Sequence, residues 1–175
     1  PSPLRELSHC QQGLGGSRIF VKEDGFINPL YGGNKARKLE FILAHAIHIG
    51  AREVCTVGGI GSHHALATAI FAKRLGLSCR LLLSPQPMSA HAQAIYDQIR
   101  KTDAEVTLIE GEAVTSAQFF TALRVWRSSR PDAFLIPTGG SSVEGTYGYV
   151  EAGIELAQQI DAQEIPLPQA IYVAV

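Results

Sequence analysis

The 175-residue chain has little sulfur: one methionine, Met88, and three cysteines, Cys10, Cys55 and Cys79. The cysteines are odd in number, widely spaced and form no C-x-x-C pair, which excludes the disulfide framework of a small secreted domain. Cys55 and Cys79 stand inside apolar runs and read as reduced, buried thiols, as expected in a reducing cytoplasm. An excess of one charge is also missing. Fifteen Lys plus Arg face sixteen Asp plus Glu, for a net charge of −1. With no basic surplus to neutralise phosphates, nucleic-acid binding is excluded as the main task. No apolar run approaches the roughly 20 residues that span a bilayer, and no signal-type leader precedes the first strand. A cytoplasmic protein with neither membrane nor nucleic-acid partner is expected.

What is present is a globular composition, 46% hydrophobic and 18% charged, in a length that suits one ordinary domain or two small ones. The chain opens at Pro1 and closes on the apolar, β-type run 170–175 with no turn after it. That pattern resembles a cut through a buried strand of a longer protein.

The segment Ile19-Phe20-Val21-Lys22 reads as a short strand. From Asn34 to about Ile49, Leu39, Ile42, Leu43, Ala46 and Ile47 recur at helical spacing, with Asn34 as the N-cap. An alternation then sets in. Strands are expected at 53–57, 78–83, 105–109, 133–136 and 170–175, and helices at 62–75, 89–101, 115–127 and 144–160. The strands are continuous apolar runs, as in a parallel sheet covered by helices on both faces. The fold class is therefore α/β with a parallel sheet in a three-layer arrangement.

In such sheets ligands bind beyond the carboxyl ends of the strands. Two of those ends carry glycine loops that lead into helices: Gly58-Gly59-Ile60-Gly61-Ser62-His63-His64 and Pro137-Thr138-Gly139-Gly140-Ser141-Ser142. Glycine admits close approach of backbone to a ligand, and a helix N-terminus offers unpaired N–H groups to a carboxylate or phosphate. A dinucleotide site fits poorly, because His64 stands where G-x-G-x-x-G needs its last glycine and the next strand ends Leu83-Ser84-Pro85 with no acidic residue. Neither Ser62 nor Ser141 sits in G-x-S-x-G. His63 and His64 are adjacent and point apart. His45 and His48 share a helix face without acidic or cysteine company, so no metal site is expected.

Lys35, in Gly32-Gly33-Asn34-Lys35-Ala36-Arg37-Lys38-Leu39-Glu40, occupies the first turn of a helix, where its charge opposes the helix dipole. Partly desolvated there, its amine is more readily neutral and free for Schiff-base chemistry. Arg37, Lys38 and Glu40 fit an ordinary ion-paired helix face.

Residues 32–40, 58–65 and 136–142, in this order and with these separations, resemble the 1-aminocyclopropane-1-carboxylate deaminase and D-cysteine desulfhydrase family. These are pyridoxal-phosphate enzymes of the tryptophan synthase β-like fold, fold type II. The opening, Pro3-Leu4 followed by 19–24, is similar too. The resemblance implies pyridoxal 5′-phosphate as cofactor, with Lys35 as the Schiff-base lysine and proton-transfer base. It implies cofactor contacts from Asn34, His63, Gly139 and Gly140, and substrate contacts from Ser62, His63 and His64. The implied activity is that of a lyase or deaminase that releases ammonia and a 2-oxoacid from a small amino acid, in a homodimer. A catalytically inert relative that binds pyridoxal phosphate or an amino acid, and a nucleotide-binding α/β module, are the alternatives. The family usually has Gln-Ser-Asn-His where this chain has Gly61-Ser62-His63-His64. The family's asparagine reaches the cofactor's phenolic oxygen, a bond His63 is able to donate, and loss of the glutamine is expected to open the pocket. The resemblance further implies that 1–50 begins a large domain, that 51–145 forms a small α/β domain, and that 146–175 returns to the large domain ahead of its phosphate-binding loop.

Overall fold

The computed structural model describes residues 1–10, 15–110 and 115–173. Its elements run β1 (Leu4–Glu6), β2 (Phe20–Lys22), α1 (Asn34–His48), β3 (Glu53–Gly59), α2 (His63–Arg74), β4 (Ser78–Ser84), α3 (Ala90–Ile99), β5 (Glu105–Leu108), α4 (Ser116–Ser128), β6 (Phe134–Leu135) and α5 (Val143–Asp161). From α2 onward every helix begins just after a hydroxyl residue. Ser62, Ser89, Thr115 and Ser142 each accept the backbone N–H three residues on, a cap that contributes about 1 kcal/mol.

Strands β3 to β6 form one parallel sheet in the order β5-β4-β3-β6. Leu81, Leu82 and Leu83 are consecutive in β4 and all buried. Neighbouring strand residues face opposite sides, so both faces of β4 are covered. Each such leucine contributes roughly 1.5–3 kcal/mol by leaving water. The chain steps outward from β3 to β4 to β5, then returns to place β6 on the other side of β3. This reversal, between β3 and β6, is the switch point at which open parallel sheets leave a crevice.

Helix α2 packs on β3 and β4, while α1 lies against α2 and α5. The core joins Leu39, Ile42 and Leu43 of α1 to Val54, Leu66, Leu81 and Ile136. α5 approaches α1 so closely that a Cβ on Gly148 would stand 2.3 Å from the Arg37 carbonyl oxygen.

β1, which has no apolar run and was not read from the sequence, is a strand because β2 offers it an antiparallel ladder, Leu4 opposite Lys22 and Glu6 opposite Phe20. Two expectations are corrected by the fold. The apolar run at 170–175 is not a strand through residue 173; residues 174 and 175 lie outside the described residues. Ile171, Tyr172 and Val173 are exposed, since no described strand lies beside them to supply ladder partners. The second correction concerns Arg37, which is not part of an ordinary ion-paired surface face. It is fully buried and donates to Asp24 at 2.7 and 2.9 Å, to Glu155 at 3.0 and 3.1 Å and to Ser2 Oγ at 3.0 Å. Lys22 adds contacts of 2.8 Å to Glu155 and to Gln159. This cluster ties the N-terminal segment, α1 and α5 together.

Candidate active site

The chain enters α1 through Gly33, whose φ of 85° suits glycine and whose N–H donates to the Asp24 carbonyl at 2.7 Å. No side chain caps this helix. The expected N-cap, Asn34, is the first helical residue instead, because the tertiary turn from Asp24 to Gly33 already sets the entry. Asn34 is exposed, with its side chain at the Tyr149 hydroxyl.

Lys35 follows, half-buried. Its Nζ lies 3.9 Å from the point that a Cβ on Gly139 would occupy, so the amine stands over the glycine loop after β6. No described residue forms a hydrogen bond or ion pair with it. Burial first, and the neighbouring charge of Lys38 second, hold the Lys35 ammonium below its ordinary pKa. Gly139 and Gly140 both have left-handed backbone, φ 67° and 68°. Lys38 Nζ braces this loop by donating to the Gly139 carbonyl at 3.3 Å.

On the opposite wall is the loop from β3 to α2. Ser62 Oγ accepts the Ala65 N–H at 3.2 Å, which leaves its own hydrogen to donate. His63 is exposed at the head of α2. Its Nδ1 is hydrogen-bonded to the Tyr31 hydroxyl, and its Nε2 lies 3.0 Å from Nε2 of His91. Both ring nitrogens are engaged, so a bond from His63 to a cofactor would have to displace one of these partners. Burial, then the charges of His91 and Lys35, keep the imidazole below its ordinary pKa.

His64 is set apart from its neighbour. It is buried, and its Nε2 lies 2.9 Å from Thr56 Oγ1. Because that hydroxyl donates to the Ile136 carbonyl at 2.9 Å, the Thr56 oxygen accepts from His64. The imidazole is thus the Nε2–H tautomer and links α2, β3 and the end of β6. Its Nδ1 is buried without a hydrogen-bond partner. Burial, then the charges of Lys35 and Lys38, push its pKa down to about 4, so it is neutral near pH 7.

The space expected to open at Gly61 is filled. A Cβ there would lie 2.8 Å from Gln86 Nε2 and 2.9 Å from Ala92, and one on Gly59 would lie 2.3 Å from Gln86 Oε1. The Gln86 amide therefore lies across the loop from the end of β4. Tyr31, Gln86 and His91 were not singled out in the sequence. Tyr31 carried one available signal, its place directly before Gly32-Gly33; His91 stands 28 residues from His63 and carried none.

Among the described residues no three metal-ligating side chains converge, and His45 packs edge-on against Phe134 with centroids 5.8 Å apart. Cys55 and Cys79 are free and buried, and burial pushes the Cys79 thiol up to about 12, which makes it inert. The crevice thus combines an unpaired amine of lowered pKa, a hydroxyl at a helix N-terminus and a glycine-backbone floor. That set suits capture of a carbonyl compound and binding of a carboxylate.

Known proteins bear on this set. The family model described as pyridoxal-phosphate dependent enzyme matches residues 1–175. The D-cysteine desulfhydrase of Salmonella paratyphi B is 34% identical over 166 residues, covering 92% of this chain and 50% of that protein. The Salmonella newport D-cysteine desulfhydrase aligns with the same figures. A solved structure described as an ACC deaminase homologue has a TM-score of 0.72 at 33% identity, covering 90% of this chain and 48% of its own. Cysteine synthase from Entamoeba histolytica, at 19% identity, shares the fold with a TM-score of 0.69 over 93% of this chain and 47% of its own. The chain spans about half the length of the curated relatives it matches.

Proposed function

The chain belongs to the pyridoxal-phosphate dependent enzyme family, and from that premise we propose that it carries the Lys35 site of a lyase or deaminase that releases ammonia and a 2-oxoacid from a small amino acid. The observation that carries this reading is the Lys35 amine, unpaired and partly desolvated over Gly139 at the β3/β6 switch point. The residues present fit the cofactor. An amine held below its ordinary pKa suits attachment of an aldehyde, and Gly139 beside it has left-handed backbone, φ 67°, that a residue with a side chain would strain to adopt.

Lys35 is the group that would hold the cofactor covalently, with Gly139 and Gly140 as the backbone floor and Asn34 beside them at the helix entry. Bound there, pyridoxal phosphate supplies an electron sink that stabilises a carbanion at the substrate α-carbon. Lys35 Nζ takes and returns the α-proton, a task suited to an amine whose pKa is lowered. Ser62, through its free hydroxyl hydrogen, and the first amides of α2 receive the substrate carboxylate. His63 faces the same crevice through its hydrogen-bonded partners, while His64 acts from behind the loop. Residues 1–50 and 146–175 form part of a large domain and 51–145 a small one, with the crevice between them, in a cytoplasmic homodimer. The α1–α5 packing and the Arg37 cluster support the first pairing.

The test is the near-visible absorbance of the bound cofactor in the full-length protein and its turnover of D-cysteine and 1-aminocyclopropane-1-carboxylate. We expect the band to vanish in Lys35→Ala, and ammonia and a 2-oxoacid to accumulate with at least one substrate. A band unchanged in Lys35→Ala would sink the assignment.

A further inference from the structure

We propose that Tyr31, His63 and His91 form a proton relay that joins the Lys35 crevice to solvent, with His91 as its outer station. The proposal deepens the amino-acid chemistry proposed for Lys35 and rests on that reading. Its three members come from three elements: the segment before α1, the head of α2 and the first turn of α3. The Tyr31 hydroxyl meets His63 Nδ1, and His63 Nε2 meets His91 Nε2 at 3.0 Å. The two imidazoles meet end to end, centroids 5.1 Å apart. That alignment points each Nε2 at the other, which suits a shared hydrogen.

The relay assigns one direction to these bonds. Tyr31 is half-buried, and burial raises its hydroxyl pKa, so the phenol keeps its hydrogen, which the relay directs to His63 Nδ1. A neutral imidazole carries one hydrogen, and His63 is held below its ordinary pKa. Its hydrogen therefore sits on Nε2 and is donated to His91 Nε2. His91, exposed, then carries its own hydrogen on Nδ1. The charged and titratable groups around His63 are Tyr31 from the loop before α1, Lys35 from α1, His91 from α3 and His64 beside it on α2. Each donor in the relay points outward.

A proton leaves by three linked transfers. The Tyr31 O–H bond breaks as an Nδ1–H bond forms on His63. The His63 Nε2–H bond breaks as an Nε2–H bond forms on His91, and His91 releases its Nδ1 hydrogen to water. The phenolate left behind is neutralised by a proton taken from the reacting substrate. Run in reverse, the same steps deliver a proton to a leaving group. Lys35 Nζ serves the α-carbon, and in a reaction that also moves a proton at a second substrate atom the relay supplies a separate donor and acceptor.

The experiment combines nitrogen-15 NMR of the imidazoles in the full-length protein with pH–rate profiles of the wild type, His91→Gln and Tyr31→Phe. We expect His63 as the Nε2–H tautomer and His91 as the Nδ1–H tautomer. His91→Gln, at an exposed site, should keep the cofactor absorbance yet lower kcat about ten- to hundredfold, change its pH dependence, and regain part of the rate with added imidazole. Tyr31→Phe should show the same fall without the imidazole rescue. A hydrogen on His63 Nδ1, or an unchanged pH profile in His91→Gln, overturns the relay. A wild type that neither binds the cofactor nor turns over sinks the function proposed above, and the two tautomers then still decide the relay's hydrogen-bond order.

Discussion

Two cations two residues apart on α1 meet opposite surroundings. Arg37 points into a buried cluster where Asp24 and Glu155 neutralise it, and these partners raise its pKa despite burial. Lys35 points into the crevice, where no described residue pairs with it, and burial lowers its pKa. The same backbone therefore presents one cation whose charge is held by its partners and one whose pKa is lowered. The charge of the first fastens segments together. The unpaired amine of the second is left free for chemistry, since structural and reactive cations differ in whether a counter-charge accompanies them into the interior.

The sharpest way to break the contrast is to remove Arg37. Arg37→Met should destabilise the protein by about 3–5 kcal/mol, because Asp24 and Glu155 lose their buried partner; urea unfolding measures it, and a loss below about 1 kcal/mol would deny the cluster its fastening role.

The next largest effect is acid sensitivity on the Lys35 side. His64 titrates at its ordinary 6.5 when unfolded and near 4 when folded. As pH falls through that window the unfolded chain gains a proton that the folded chain refuses, so stability drops by about 3 kcal/mol and levels off below 4. His64→Gln should flatten that segment of the stability–pH curve. It should leave a separate acid loss from Asp24 and Glu155, whose pKa values are depressed in the folded state, Glu155 to about 2. Their stabilisation is present above their ordinary values and disappears as pH falls toward the folded ones.

Gly148→Ala tests the α1–α5 contact that holds Arg37 against Glu155. With Cβ 2.3 Å from the Arg37 carbonyl oxygen, the helices must separate, at about 1–3 kcal/mol by thermal or urea unfolding. The smallest effect falls to Lys35 itself. Lys35→Ala, though fatal to the proposed chemistry, should leave stability unchanged or raise it by under about 1 kcal/mol, since an unpaired, partly buried charge is removed. It should also raise the His64 pKa, which NMR titration reads directly.

Much of the fold was legible along the chain. The apolar runs at 53–57 and 78–83, the helix starts at 62, 89 and 115, and the two glycine loops need only near neighbours to declare themselves, and each lies within a residue or two of its expected place. Lys35 was legible for the same reason, as a cation in the first turn of a helix. Where expectation failed, a distant partner decided. Asn34 lost the cap to a turn set by Asp24, and the run at 170–173 is no strand because no described strand lies beside it; β1, for which no expectation was formed, exists because β2 pairs with it.

The sequence by itself determined the α/β alternation, the parallel sheet and the lysine and glycine loops that mark the crevice, because periodicity, capping and glycine chemistry act over a few residues. Only the tertiary structure decided that β6 returns beside β3 to bring both loops together, that Arg37 is buried while Lys35 stays unpaired, and that Tyr31 and His91 meet the two sides of one imidazole. Those outcomes depend on which side chains share a dry interior, and burial and long-range hydrogen bonding leave no local pattern from which to read them.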